Sequence, residues 1–411
     1  MKKILFVTYG GGHMKIIEPI TKKLLEEKDI EFKILALTSA YSFMLDKFSS
    51  AVVKKVSDYS FLFDDIIDEV MSLGLELLDD NYSSNSIISK EEIIYYIGLS
   101  FYDLIQRVGK EEAYRLYTHK KRQAFLPIET MKKILDYENI DIVISTTAPR
   151  FEEASFIAAH ELNIDTIEIL DLFGELYPLP KAKHIVCMNS LVSDSLKAKG
   201  FTDKKYYHFG QPAIEKTIEN ILQLDVTILK NKMDLKNNIT LLYATQIPNI
   251  YNTDFSFHSF AGYNTINDNI FYMFQRLYDK YNINILLRLH PSESIADYEK
   301  WLNKYPFVKY INGVYNIEES IAVCDLLLNQ ASTVSVEAIA VKKDVFTFKY
   351  HLDKTFPLPA IMKKPFIFSD GFEELEKNLS IYLEDPKKID KLNDFLPKNS
   401  VKNIIALIKE L

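Results

Sequence analysis

The segment that decides the fold reads Cys324-Asp-Leu-Leu-Leu-Asn-Gln-Ala-Ser-Thr-Val-Ser-Val-Glu-Ala-Ile-Ala-Val-Lys-Lys-Asp-Val-Phe-Thr-Phe348. Its pattern predicts a buried strand over residues 325–329, a short polar loop, a helix over about 333–341 and a second strand over 345–348. Short apolar strands separated by a helix are typical of parallel sheets, whose strands are buried on both faces. The segment therefore predicts an α/β fold.

The same segment carries polar side chains at the start of its predicted helix. Ser332 and Thr333 stand where unpaired backbone N–H groups and the positive end of the helix dipole favour an anion. Glu337 follows Thr333 by four residues, so it lies on the same helix face about one turn further along. A phosphate at the helix start and hydroxyl groups at the carboxylate would suit a nucleoside diphosphate and its ribose. The pattern predicts a nucleotide-sugar site.

Alternating strands and helices recur in both halves of the chain. The predicted strands of the first half are residues 4–8, 32–37, 140–146, 166–170, 184–188 and 206–209. Those of the second half are residues 239–244, 283–289, 308–311, 325–329 and 345–348. Two such sets in one chain of 411 residues predict two Rossmann-like domains in tandem, each with a parallel sheet.

The domain boundaries follow from where these patterns change. We expect an N-terminal acceptor domain over residues 1–212, a polar helical connector over 213–238 and a donor domain over 239–385. Residues 386–411 have the spacing of two short helices, which would finish the second domain or cross back to the first.

A helical insertion is predicted over about residues 58–136, because this stretch is too long for a single crossover. It is rich in Ile, Leu, Tyr and Phe, and residues 93–105 are apolar on most helix faces. One interpretation is a helical layer buried within its own domain. The alternatives are a surface that contacts an acceptor, a second copy of the chain or a membrane.

Composition excludes several classes of protein. The net charge of −8 disfavours a nucleic-acid binder, and two cysteines cannot form a disulfide framework. The eight histidines show no metal-binding spacing, and we expect neither a metal nor a cofactor. No stretch approaches the roughly 20 apolar residues of a membrane span, and no signal peptide is recognisable. We therefore expect a cytoplasmic protein, with peripheral contact at the inner face of the plasma membrane left open and the oligomeric state unknown.

A glycine-rich turn follows the first predicted strand in the sequence Tyr9-Gly-Gly-Gly-His13. Gly10, Gly11 and Gly12 would let the backbone turn tightly and approach a ligand, including a diphosphate. His13 could act as a general base, contact a diphosphate or simply stand at the helix start.

Further polar residues follow two other predicted strands of the first half. Arg150 and Glu152 occur in the stretch Thr146-Thr-Ala-Pro-Arg150-Phe-Glu152, and Asp171 follows the next strand. A carboxylate at this edge could deprotonate an acceptor hydroxyl, and Asp171 is the second candidate base. Glu152 could equally occupy a helix start for dipole reasons alone.

The second half has matching candidates at its strand ends. Arg288 and His290 end one buried strand, and a cationic pair there suits phosphate oxygens. Thr245 and Gln246 follow the first strand of this half, where a hydroxyl and an amide could contact the nucleotide or the sugar. All four would lie at the carboxyl edge, where open α/β sheets bind ligands.

With these residues placed, the chain resembles the GT-B glycosyltransferases. The turn at Gly10 resembles the glycine-rich turn of the enzyme that adds N-acetylglucosamine to lipid-linked muramyl peptide. The sequence Phe209-Gly-Gln-Pro212 resembles a passage that this enzyme shares with UDP-N-acetylglucosamine 2-epimerases. The His290-Pro291 pair with Ser332-Thr333 is similar to motifs of bacterial surface-polysaccharide transferases.

The resemblance implies two facing domains, with the nucleotide-sugar donor on the C-terminal one and the acceptor in the cleft. It implies that His290, Ser332 and Thr333 hold the donor phosphates and that Glu337 binds the ribose. The implied activity is transfer of a sugar, without a metal, to a glycan, lipid-linked or protein-linked acceptor. The donor nucleotide, of UDP or CMP type, is not indicated.

Two other functions stay open at this stage. The first is a 2-epimerase-like enzyme, although the epimerases' early Arg-Pro-Glu and their paired-glycine and Glu-Glu motif are absent. The second is a non-catalytic protein that binds a nucleotide-sugar and uses the helical insertion as a partner surface.

Overall fold

The computed structural model describes residues 1–82, 88–171, 180–245, 263–291, 293–330, 332–349, 366–386 and 396–411. The chain divides into two compact units. Unit 1 comprises residues 1–213 and 397–411, and unit 2 comprises residues 214–396.

Unit 1 contains a seven-stranded parallel sheet with the strand order β3-β2-β1-β4-β5-β6-β7. Its strands are β1 (Lys2–Thr8), β2 (Ile30–Ala36), β3 (Val53–Lys54), β4 (Ile142–Thr146), β5 (Asp165–Ile169), β6 (His184–Cys187) and β7 (Lys205–His208). Its first helices are α1 (Gly12–Leu24), α2 (Ala40–Leu45), α3 (Ile67–Glu76), α4 (Lys90–Val108), α5 (Lys110–Lys120), α6 (Ile128–Glu138), α7 (Phe151–Glu161) and α8 (Ser190–Ala198).

Unit 2 contains a six-stranded parallel sheet with the strand order β10-β9-β8-β11-β12-β13. Its strands are β8 (Thr240–Ala244), β9 (Asn284–Arg288), β10 (Val308–Tyr310), β11 (Leu326–Asn329), β12 (Asp344–Lys349) and β13 (Ile367–Asp370). The helices from the unit boundary onward are α9 (Pro212–Leu222), α10 (Val226–Lys232), α11 (Tyr263–Tyr281), α12 (Glu299–Lys304), α13 (Ile317–Val323), α14 (Val334–Ala340) and α15 (Phe372–Glu384). The last helix of the chain, α16 (Ser400–Glu410), belongs to unit 1.

These two sheets confirm the predicted fold class of two Rossmann-like domains. In each sheet the strand order reverses once, between β1 and β4 in unit 1 and between β8 and β11 in unit 2. The sequence patterns missed β3 and β13, which are short edge strands of two and four residues. Such strands carry too few apolar residues to stand out in a sequence window.

The core of unit 1 forms where the central strands meet α1 and the end of the chain. Ile4 and Phe6 of β1, Ile17 of α1, and Ile404 and Ile408 of α16 belong to one buried cluster. The C-terminal helix thus covers the first βα unit of the chain. Residues 387–395, within the predicted C-terminal helical segment, lie outside the described residues.

The helical insertion packs within unit 1 around α4. Two buried carboxylates of α4 bind backbone N–H groups at the start of a 3₁₀-helix (Val56–Phe63) and in the first turn of α6. Glu92 accepts hydrogen bonds from Val56 and Ser57, at 2.9 and 3.1 Å, and Asp103 accepts one from Thr130 at 3.0 Å. Because helix starts leave N–H groups unpaired, these contacts fix two neighbouring segments on α4.

The basic run at residues 119–122 is tied to the same layer. Lys121 forms an ion pair with Asp80 at 2.8 Å, and Arg122 donates hydrogen bonds to Asn81. Among the helices that the structure describes, none combines the length and the hydropathy needed to cross a membrane.

Helices α3 and α4 approach each other through two glycines. A Cβ atom on Gly98 would lie 2.1 Å from the carbonyl oxygen of Val70, and one on Gly74 would lie 2.2 Å from that of Ile94. These distances are far inside van der Waals contact, and the obstructing atoms belong to the backbone. The helical layer therefore depends on glycine at both positions.

We predict that Gly98→Ala destabilises unit 1 by about 2 kcal/mol or more, because overpacking at a backbone contact forces the helices apart. Urea unfolding monitored by circular dichroism measures the change in free energy. Gly12→Ala is the control, because a Cβ atom there has no neighbour within 4 Å. Equal stability of the two variants would contradict the close helix contact.

Candidate functional site

The glycine-rich turn lies at the strand-order reversal of unit 1, between β1 and α1. A Cβ atom on Gly10 would lie 1.9 Å from Ser39 Oγ, so any other residue there would require the Ser39 side chain to move. Gly11 has φ = 74°, a conformation that favours glycine. Gly12 has open space around it, so its role does not follow from packing.

His13 reaches across the reversal to the ends of β4 and β5. Its Nδ1 lies 2.7 Å from Thr146 Oγ1 and 3.6 Å from Asp171 Oδ2. Burial and the positive charge of Arg150 lower the pKa of His13 below its usual value. At neutral pH the imidazole is therefore uncharged and able to accept a proton.

Arg150 holds a strained position directly before α7. Its φ is 71°, which is uncommon for a residue with a side chain. Its guanidinium lies 4.7 Å from the centre of the Tyr9 ring, and the Tyr9 hydroxyl lies 2.5 Å from that of Tyr96. Since Tyr96 belongs to α4, the helical insertion contacts the glycine-rich turn directly. This contact joins residues 87 positions apart.

Glu152 is fully buried in the first turn of α7. Its carboxylate oxygens make no hydrogen bond of good geometry to the described residues, although the backbone N–H groups of Tyr9 and Glu152 interact with the carboxylate. Burial raises the pKa of Glu152 to about 8, and Asp171 raises it further, whereas Arg150 and nearby backbone N–H groups offset part of the effect. Glu152 is therefore predominantly neutral at pH 7.

Hydrogen bonds hold the residues directly after β5 and those directly before β6. Gln211 donates hydrogen bonds to the carbonyl oxygens of Leu170 and Asp171, at 3.2 and 3.0 Å. Glu168, buried within β5, accepts hydrogen bonds from the N–H groups of Lys181 and Ala182, at 2.6 and 3.0 Å. Burial raises the pKa of Glu168 to about 7.

The strand-order reversal of unit 2 brings together the ends of β9, β8 and β11. The His290 N–H donates to Thr245 Oγ1 at 3.0 Å and to Glu293 Oε2 at 2.8 Å. The Thr245 hydroxyl donates to the same Glu293 oxygen, and the Tyr298 hydroxyl donates to Glu293 Oε1 at 2.8 Å. Glu293 thus fixes the turn that carries His290.

Arg288 points away from this turn. Its Nη1 donates to the Tyr315 carbonyl at 2.8 Å and to Ser320 Oγ at 3.3 Å. The sequence suggested a phosphate contact for Arg288, whereas the structure gives it partners on the segment leading into α13 and on α13 itself. A second pair of hydrogen bonds, between Asn312 and the backbone of Leu289, holds the end of β9.

Helix α14 forms where the sequence predicts a helix, but more of the backbone N–H groups at its start are hydrogen-bonded than expected. Helix α14 has seven residues, and the N–H groups of Ser335 and Val336 already donate to the carbonyls of Ser332 and Thr333. An anion there would rely on the half-buried side chains of Ser332 and Thr333 more than on a helix dipole. Glu337 is also half-buried, one turn along.

The predicted residues therefore form two groups, one in each unit. His13, Asp171, Arg150, Glu152 and the glycine-rich turn come together in unit 1. Thr245 and His290 are hydrogen-bonded neighbours in unit 2, and Ser332, Thr333 and Glu337 follow the adjacent strand. Gln246 lies outside the described residues.

Sequence reasoning missed several residues that shape these groups. Glu293 had a usable signal, because it follows His290 at the i+3 spacing of a local cap. Gln211 belongs to a passage that was recognised but given no role. Tyr96 and Glu168 had no local signal.

The absence of a metal stays a prediction. Within the described part of the chain, no three His, Cys, Asp or Glu side chains are grouped closely enough to hold an ion.

No protein-family model and no curated protein matches the chain. Solved structures do match over its full length. UDP-GlcNAc 2-epimerase from Neisseria meningitidis, bound to UDP-GlcNAc, has a TM-score of 0.61 and 14% identity, with 100% of both chains covered. The UDP-GlcNAc 2-epimerase of Methanocaldococcus jannaschii has a TM-score of 0.58 and 15% identity, again over 100% of both chains. MurG of Acinetobacter baumannii has a TM-score of 0.55 and 9% identity over 100% of both chains.

At these identities the likeness shows the fold alone. It confirms the GT-B fold that the sequence resemblance predicted. The neighbours include both epimerases and MurG, so the fold does not choose between epimerisation and sugar transfer.

We predict that Glu152→Gln changes how stability depends on pH. The folded pKa of Glu152 is raised to about 8, above the ordinary value near 4.5, so the folded state binds the extra proton between these pH values. Stability of the natural protein should therefore fall as pH rises from about 4.5 to 8, whereas Glu152→Gln should lack this component. The expected difference is a few kcal/mol, because each pKa unit corresponds to about 1.4 kcal/mol.

Urea unfolding at pH 5, 7 and 9 measures the effect. Glu153→Gln is the matched control, since Glu153 is the next residue of α7 but forms an ion pair with Lys181 at 3.1 Å. A stability difference between natural protein and Glu152→Gln that does not vary with pH would contradict the raised pKa.

Proposed function

We propose that this protein is a nucleotide-sugar enzyme, and specifically a glycosyltransferase of surface polysaccharide or glycoconjugate assembly. The observation that carries the proposal is the contact of His13 with Thr146 and Asp171 at the strand-order reversal of unit 1. A neutral histidine beside a carboxylate is suited to removing a proton. Ligands of open α/β sheets bind at such reversals.

Unit 2 would bind the nucleotide-sugar. This part of the proposal is supported by the polar side chains at the strand-order reversal of unit 2. His290, Ser332 and Thr333 would contact the phosphates, and Glu337 would accept hydrogen bonds from ribose hydroxyls. Arg288 would act indirectly by fixing the segment ahead of α13, as its hydrogen bonds indicate.

The reaction would proceed by attack of an acceptor hydroxyl on the anomeric carbon of the donor. His13 would take the hydroxyl proton as the new C–O bond forms, and Asp171 would stabilise the resulting imidazolium. The bond between the anomeric carbon and the phosphate oxygen breaks, and the leaving nucleotide takes up negative charge. Hydrogen-bond donors of unit 2 would stabilise that charge. The acceptor would be a glycan, lipid-linked or protein-linked hydroxyl.

Epimerisation is the second candidate, favoured by the fold likeness to UDP-GlcNAc 2-epimerases. A base that removes a proton from a hydroxyl could also remove one from a carbon atom. The two functions differ in their substrates, because an epimerase needs no acceptor and exchanges a carbon-bound proton with solvent.

We predict that a nucleoside monophosphate or diphosphate raises the Tm of unit 2 by several degrees at saturation, because it binds the folded state only. Thermal-shift screening with UDP, CMP, CDP and GDP measures this and identifies the base. His290→Ala and Glu337→Ala should reduce the shift. Glu373→Ala is the control, since Glu373 is an exposed residue at the start of α15. If no nucleotide stabilises the protein, the proposed donor site is wrong.

We predict that His13→Gln lowers kcat by about 100-fold or more, as loss of a general base does, while Tm shifts with the nucleotide stay unchanged. Asp171→Asn should lower kcat in the same direction. The assay incubates the nucleotide-sugar identified above with candidate acceptors and, separately, with none in deuterium oxide. Sugar transfer supports the first function. Deuterium incorporation into the sugar without an acceptor would replace it with epimerisation, and binding without turnover would indicate a non-catalytic protein.

A further inference from the structure

The Nδ1 atom of the His13 ring lies closer to a hydroxyl group than to a carboxylate. It is 2.7 Å from Thr146 Oγ1, which is a hydrogen-bond distance, and 3.6 Å from Asp171 Oδ2, which is too long for a hydrogen bond. Asp171 therefore acts on the ring through its charge, whereas Thr146 contacts Nδ1 directly. The hydrogen bond at one ring nitrogen decides which of the two nitrogens carries the proton in a neutral histidine. Thr146 is thus placed to decide how His13 is protonated.

Thr146 holds its hydroxyl group in a fixed position. It is the last residue of β4, at the strand-order reversal of unit 1, and its side chain is fully buried. Branching at Cβ restricts the rotation of a threonine side chain. Among the described residues, the Thr146 hydroxyl forms no hydrogen bond other than that to His13. A rigid, buried group with one hydrogen-bond partner is suited to orienting that partner.

The neutral His13 ring has two forms, which differ in the nitrogen that carries the proton. A threonine hydroxyl can accept a hydrogen bond from Nδ1–H, or it can donate one to an unprotonated Nδ1. In the first form the lone pair of Nε2 is free to take a proton, and in the second form Nε2 already carries one. The negative charge of Asp171 disfavours a lone pair at Nδ1 and favours an N–H group there. The geometry therefore favours the first form.

We propose that Thr146 is a positioning residue, which accepts the Nδ1–H hydrogen bond of His13 and so leaves Nε2 as the atom that removes the substrate proton. The role in turnover rests on the proposed function, whereas the protonation of the resting ring does not. In sugar transfer, the proton of the acceptor hydroxyl moves to Nε2 as the acceptor oxygen bonds to the anomeric carbon. The leaving phosphate oxygen takes the electrons of the bond that breaks. The imidazolium keeps its Nδ1–H bond to Thr146, so the ring does not need to rotate during the step.

The ring nitrogens of His13 can be observed by NMR without any enzymatic activity. Long-range proton–nitrogen spectra of protein labelled with ¹⁵N-histidine distinguish a protonated from an unprotonated ring nitrogen, and His13→Gln identifies the signals of His13. At about pH 8 the ring is neutral, because burial and the charge of Arg150 lower the pKa of His13 below its usual value. We expect a protonated Nδ1 and an unprotonated Nε2. A protonated Nε2 in the natural protein would overturn the proposal, and this result does not depend on how the Thr146 variants fold.

Two variants of Thr146 separate the effect of its hydroxyl from that of its shape. Thr146→Val keeps the branched shape but removes the hydrogen-bond acceptor, so the Nδ1–H form should lose population. The kcat should fall about fivefold to tenfold with KM unchanged, as expected for the loss of one hydrogen bond. Thr146→Ser keeps the hydroxyl and should restore most of the Nδ1–H form and of kcat.

Ser145→Ala is the matched control. It removes the neighbouring buried hydroxyl of β4, which donates to the Val7 carbonyl at 2.7 Å and not to His13. This variant should match the natural protein in the protonation of the His13 ring and in kcat.

The proposal is overturned if Thr146→Val leaves either the protonation of the His13 ring or kcat unchanged, or if Ser145→Ala changes them as strongly. Failure of the proposed function has a different signature. It would be an Nδ1–H ring that responds to Thr146→Val, in a protein that neither transfers a sugar nor exchanges a carbon-bound proton. That result would support the orienting role of Thr146 and reject the proposed function.

Discussion

The reversal of strand order in a parallel sheet is the constraint on which the rest of this structure depends. At the reversal, the crossovers from two adjacent strands leave in opposite directions, so a crevice opens above the carboxyl ends of those strands. In unit 1 this occurs between β1 and β4, where His13 meets Thr146. In unit 2 it occurs between β8 and β11, with Thr245 following the first of these strands. Polar loops that are distant in sequence thereby become neighbours.

Burial of polar groups then gives each crevice its chemistry. In unit 1, water is excluded from Glu152 and Glu168, which raises the pKa of both carboxyls, whereas the same exclusion lowers the pKa of His13. One physical effect thus shifts acids and base in opposite directions, so that near neutral pH His13 is uncharged and Glu152 is mostly protonated. In unit 2, the half-buried hydrogen bonds of Glu293 hold the turn at His290 instead. The first arrangement suits proton transfer, and the second suits the positioning of a substrate.

The helical insertion contributes both to the packing of unit 1 and to the surroundings of its glycine-rich turn. Its helix α4 is packed closely on α3 through Gly98, and its buried acids hold neighbouring helix starts. The same helix supplies Tyr96, whose hydroxyl contacts that of Tyr9. The sequence pattern describes this layer only as helical and apolar. In the structure, the layer packs directly against the glycine-rich turn.

The amino-acid pattern alone predicts the two parallel sheets and the loops that carry polar residues at their strand ends. It could do so because buried strands and crossover helices leave local apolar patterns, and because glycine, proline and capping residues mark where each element stops. The contacts of those polar residues, in contrast, follow from how distant segments pack in the folded chain. Arg288 was predicted on a strand end, but its partners lie on and just before α13. Glu152 was predicted at a helix start, but it is fully buried there, and its pKa depends on Asp171 beyond β5 as well as on its neighbour Arg150. Contacts of this kind join residues far apart in sequence, and no local pattern records them.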